Sequence, residues 1–177
     1  MHVDPAVTHR VALALVLLAA ACSAYTDLKT GRIPNALVAA LLAAGLALSV
    51  LGGWQTAAIS VGLFLAVFTI GTILFSLKLI GGGDVKLLAA GAATLGWPDT
   101  VAFLLYTVLA GGVLGVAITL ARGRLRPMLA NLRMMIFPML LGLRPAAAPT
   151  AVGTMPYGLA IFAGAAALFA GKLPALF

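Results

Sequence analysis

Four aspartates are the only acidic side chains in these 177 residues, and there is no glutamate. Two of them, Asp27 in YTDLKTGRIPN and Asp84 in LIGGGDVKLLAA, sit where long apolar runs meet short polar loops. An ionisable residue in such a run costs on the order of 2.5–3.5 kcal/mol at a helix centre by insertion scales, so one that is kept there points to a use. Two carboxylates in a confined space share one proton, because like charges a few ångströms apart do not both ionise freely. The ionised member draws a proton from water, and the protonated member polarises a peptide carbonyl. This chemistry cuts peptide bonds with no metal and no cysteine, and no cofactor is expected.

Positioning such a pair falls to membrane helices. The chain is 63% hydrophobic and 8% charged, with mean hydropathy +1.17, which excludes an ordinary soluble domain. Apolar runs of about twenty residues recur, each suited to a hydrocarbon core of ~30 Å. The expected fold is an all-α integral membrane protein of about six transmembrane helices, forming a single polytopic domain over residues 1–177. The spans are read near 11–30, 36–51, 56–77, 84–97, 100–121 and 157–171. The first is read as a retained helix, although AACSA resembles a cleavage site. Gly31 should close it, with Pro34 fixing the turn and Asn35 capping the second helix. The fourth span has about fourteen residues, or ~21 Å, short of the ~30 Å core. With Trp97 at one interface, Asp84 lies several ångströms below the other, and the Gly81-Gly82-Gly83 turn dips in with it. Irregular backbone at that depth is tolerated only inside protein or beside water.

Charge sets the orientation. Lys29, Arg32, Lys78, Lys86, Arg122, Arg124, Arg126, Arg133 and Arg144 fall on one side, and only Arg10 and Lys172 on the other. This bias puts both termini outside and the loops bearing Asp27 and Asp84 in the cytoplasm. The cations lie in short loops, so the net charge of +7 does not indicate nucleic acid. Residues 122–152 form a basic segment, interrupted by Asn131 and Pro138, that is expected to lie in the membrane interface. The lone Cys22 reads as a packing residue, and no CxxC pattern exists. His2 and His9 stand in the tail without partners for a metal. Asp4 and Asp99 read as solvated residues of the tail and a short outer loop.

Structural roles compete for each aspartate taken alone. Asp84 would serve as a helix N-cap beside a flexible glycine turn, and Asp27 would pair with Lys29 or Arg32. Two carboxylates on one side of the membrane weigh toward a site. The glycine turn would admit substrate backbone closely, and Lys29, Arg32, Lys78 and Lys86 would meet acidic lipid or an acidic substrate group. Helix polarity favours Asp84, at a helix start, as the ionised member, and Asp27, at a helix end, as the protonated one.

These residues resemble the type IV prepilin peptidases. YTDLKTGRIPNAL resembles the first signature of that family, and GGGDVKLLAAGAATLGW resembles its GxGD signature. MPYGLAIFAGA, from Met155 to Ala165, is similar to the motif opening the last helix, with Leu159 where the family often has proline. The likeness covers most of the chain in matching order. It implies an aspartic endopeptidase with Asp27 and Asp84 as the catalytic pair. Its implied partners are prepilins or pilin-like proteins, whose short basic leader is removed at the cytoplasmic face of the bacterial inner membrane. Many members also carry a domain with two CxxC pairs and methylate the new amino terminus. This sequence shows neither that domain nor those cysteines and resembles the short form accompanying tight-adherence (Flp) pili, so methylation is not expected of it. Two alternatives are a preflagellin peptidase, with the same chemistry on another client, and an ion- or proton-coupled transporter. Transporter sites lie near the bilayer midplane, whereas these carboxylates are expected near one face. The oligomeric state is left open.

Overall fold

The computed structural model describes residues 4–77, 79–123, 130, 133, 134, 137 and 157–176. Regular structure among the described residues is entirely helical: α1 (Pro5–Thr30), α2 (Asn35–Leu51), α3 (Trp54–Ser76), α4 (Gly82–Leu95), α5 (Asp99–Ala121) and α6 (Tyr157–Leu176). The chain is an all-α integral membrane protein. Helices α1, α3 and α5 are long and apolar enough to cross a bilayer, and α2 and most of α6 are shorter apolar helices. A helix lies at each of the six expected places. The main differences are that α1 begins at Pro5 and α6 runs on to Leu176.

Local chemistry explains the ends of α1. The Asp4 carboxylate accepts the Ala6 N–H at 2.9 Å, with Pro5 as first helical residue. At the far end Gly31 adopts the left-handed conformation, φ 63°, and donates its N–H to the Asp27 carbonyl at 2.8 Å.

The chain divides into two compact units, Met1–Gly111 with Pro156–Phe177, and Gly112–Met155. The second holds the C-terminal part of α5, which ends before Gly123, again left-handed at φ 62°. Most of the basic segment 122–152 lies outside the described residues, as do Lys78, Met155 and Pro156.

In the first unit α4 is the central element, packed against α1, α2, α3 and α6. Eleven of its fourteen residues are buried, so no face of it meets lipid. Alanine and glycine fill its middle, from Ala89 to Ala93. In a membrane, where burying apolar surface gives helices no advantage over lipid, such small residues allow the close packing that holds them together. Thr94 and Thr100 send their hydroxyls to the Ala90 and Ala92 carbonyls at 2.8 and 3.0 Å. Leu13, Val16 and Ala20 of α1 meet Ile161, Ala165 and Leu168 of α6 in the same core.

Two expectations are corrected here. Asp99 is not solvated: it is buried, 2.7 Å from the Lys172 ammonium and 3.5 Å from His9 Nδ1. The packing of α1, α5 and α6 at that end closes over it. Cys22 is exposed rather than packed. Because α1 is apolar on all sides, its sequence does not mark which face turns inward. Trp54 and Trp97 are exposed, as interface anchors would be.

Candidate active site

Asp27 is fixed by the last turn of α1. Asp84 is the third residue of α4, whose N-cap is Gly81. The α1–α2 turn and the α3–α4 connection lie at the same end of the first unit. Both carboxylates therefore line one cavity of about 290 Å³, whose wall also carries Gly31, Arg32, Ile33, Asn35, Gly81, Gly82, Gly83 and Lys86. The cavity lies opposite the Asp99–Lys172 pair, at one end of the helices and not at their middle.

The two aspartates differ in surroundings. Asp84 is 9% exposed, and its Oδ2 lies only 2.6 Å from the point where a side chain on Gly81 would begin. Asp27 is half-buried, and its Oδ2 accepts the Gly158 N–H at 2.9 Å. Gly158 is the second residue of α6. Asp27 thus faces the N-terminus of a second helix while ending its own. Both carboxylates therefore meet helix N-termini, and helix polarity no longer divides their roles as α1 alone suggests.

Most of the supporting residues named from the sequence converge here. Lys86 donates from Nζ to Asn35 Oδ1 at 3.2 Å, which bridges the starts of α4 and α2 across the cavity wall. Asn35 is therefore not the cap of α2; Pro34 holds that position, and its carbonyl accepts the Leu37 N–H at 3.1 Å. Gly82 and Gly83 belong to α4, so the expected three-glycine turn shrinks to Gly81. Arg32 lines the cavity, whereas Pro34 does not. Nor does Lys29, whose ammonium lies 4.6 Å from the centre of the Tyr25 ring. Gly158, Gly31 and Ile33 were not among the site residues expected from the sequence. The signal for Gly158 was the motif beginning at Met155, read only as the start of a helix.

A model of the type IV leader peptidase family matches residues 12–116, more than half of the chain and a stretch that contains both aspartates. The chain belongs to that family. Prepilin leader peptidase/N-methyltransferases of Burkholderia pseudomallei strains 1026b and K96243 are each 37% identical to it over 124 residues. Those matches cover 65% of this chain and 40% of each relative, so the chain spans less than half the length of these leader peptidases. No solved structure matches it.

Proposed function

We propose that this chain is a membrane-embedded aspartic endopeptidase that removes the short basic leader from prepilins or pilin-like proteins during pilus assembly. It would act in the bacterial inner membrane, with its site facing the cytoplasm. The observation that carries the reading is the shared cavity of Asp27 and Asp84, edged by glycine and open at one end of the helices. In the proposed reaction one carboxylate takes a proton from a water molecule while the water oxygen attacks the scissile carbonyl carbon. The other carboxyl gives its proton to the carbonyl oxygen. The resulting gem-diol collapses when one hydroxyl proton returns to a carboxylate and a proton passes to the leaving nitrogen, breaking the C–N bond. No metal or cofactor enters these steps. The lack of a side chain at Gly81, Gly82 and Gly83 lets an extended backbone reach the pair, and the cations Arg32 and Lys86 offer contacts to acidic lipid or an acidic substrate group.

A site at one end of the helices favours a peptidase over a transporter, whose ligands bind near the midplane. No residue here is assigned to methyl transfer, and none from S-adenosylmethionine is expected. Co-expression with pilin-like proteins that carry basic leaders, with the product mass read by mass spectrometry, tests the function. Leader removal by the parent chain but not by Asp84→Asn supports it. An uncut panel of such substrates, with the enzyme correctly inserted, would refute it.

A further inference from the structure

The Gly158 N–H does not extend the helix it belongs to; it is given to a side chain on α1. The second residue of α6 is one of the four whose N–H has no carbonyl partner within the helix. Here the partner is Asp27 Oδ2, at 2.9 Å. The other oxygen, Oδ1, accepts no hydrogen bond among the described residues. The approach is close on all sides. A Cβ added at Gly158 would meet Asp27 Cβ at 3.0 Å, Oδ2 at 3.1 Å and the Ala24 Cα at 3.2 Å. The Ala24 atom is backbone and the Asp27 Cβ is fixed to it, so neither can swing aside. α1 packs extensively against α6, which holds this spacing.

From this geometry we infer that Gly158 is a positioning residue for Asp27. The first turn of α6 anchors one carboxylate oxygen and leaves the other for the cavity shared with Asp84. The inference rests on the peptidase reading of that cavity. Gly158 lies outside the stretch matched by the family model, so the role belongs to a third segment of the chain. An anchored carboxylate matters because a misplacement of about 1 Å costs on the order of 10²-fold in rate.

The test uses the full chain in detergent or vesicles. Gly158→Ala keeps the N–H but pushes the first turn of α6 away from Asp27. Gly158→Pro deletes the N–H at a first-turn position where proline is tolerated. Both variants should lose at least tenfold in kcat with KM within about twofold, at the cost of a misplaced carboxylate. The Asp27 carboxyl band, isolated in ¹³C-aspartate protein as the infrared difference from Asp27→Asn, should shift in both. A role confined to helix packing would leave that band in place. Should neither variant insert, the amide exchange of Gly158 still decides: it should speed up in Asp27→Ala relative to the parent chain. Undiminished kcat, an unshifted band or unchanged exchange overturns the inference. Failure of the parent chain itself to cleave would instead overturn the peptidase reading.

Discussion

Gly81→Ala separates the chemistry of the site from its stability. Gly81 has φ −73° and ψ 145°, a backbone that alanine adopts without strain. The added Cβ, however, would lie 2.6 Å from Asp84 Oδ2. That is roughly 0.8 Å short of ordinary van der Waals contact. The carboxyl must therefore turn away, and with Asp84 only 9% exposed the room for it lies toward the cavity. Replacing glycine at an N-cap costs up to about 1 kcal/mol, which the lower entropy of the unfolded alanine chain, about 0.4–1 kcal/mol, offsets. Little change in stability is expected. A catalytic carboxyl displaced by this much should cost about 10²-fold in kcat, or about 2.7 kcal/mol of barrier. Purified enzyme and a synthetic leader peptide, with product followed by mass spectrometry, give kcat and KM directly. A kcat within threefold of the parent, in protein of unchanged melting temperature, would refute the account of Gly81.

Asp27→Asn and Asp84→Asn should each abolish cleavage while the protein still inserts, and the double variant should be no worse than either, if the proposed pair acts as a unit; leader removal by either single variant would remove the dyad. Asp99→Asn should leave kcat intact but lower stability on the order of 1–3 kcal/mol, read by thermal unfolding, because Asp99 is buried while Lys172 still reaches solvent. A reporter fused after Phe177 should report the outer side and one within residues 122–126 the cytoplasm, a result whose reversal would put the carboxylates on the wrong face for leaders. Activity should survive metal chelators and thiol-blocking reagents, and loss restored by added Zn²⁺ would call for a different reaction.

The elements were legible because membrane helices announce themselves. Long apolar runs, Gly31 as a left-handed cap and the glycines before Asp84 each carry a local signal, and four of the six helices begin and end within a turn of the expected places. What was not legible depends on how one helix meets another. The polarity of α1 alone made Asp27 the odd member of the pair, and only the arrival of α6 brings a second helix N-terminus to it. Asp99 looked solvated because its neighbours in sequence are loop residues; its ion partners come from α6 and α1, distant along the chain. Cys22 and Asn35 show the same blindness at smaller scale, since an apolar helix without a polar face does not state its rotation.

The shortness of α4 connects these features. At fourteen residues it spans about 21 Å, less than the ~30 Å hydrocarbon core, yet it is buried on all sides and so meets neighbouring helices rather than lipid along its length. Its start can therefore lie below the surface level of the surrounding helices without exposing backbone to hydrocarbon. α4 would carry Asp84 to that depth, and the last turn of a longer neighbour, capped at Gly31, would carry Asp27. The cavity between them exists because a short central helix is ringed by longer ones, and the first turn of α6 holds one oxygen of Asp27. Extending α4 by a turn at its N-terminus would fill the space that the two carboxylates share, so the truncated helix is as much a part of the proposed site as the aspartates.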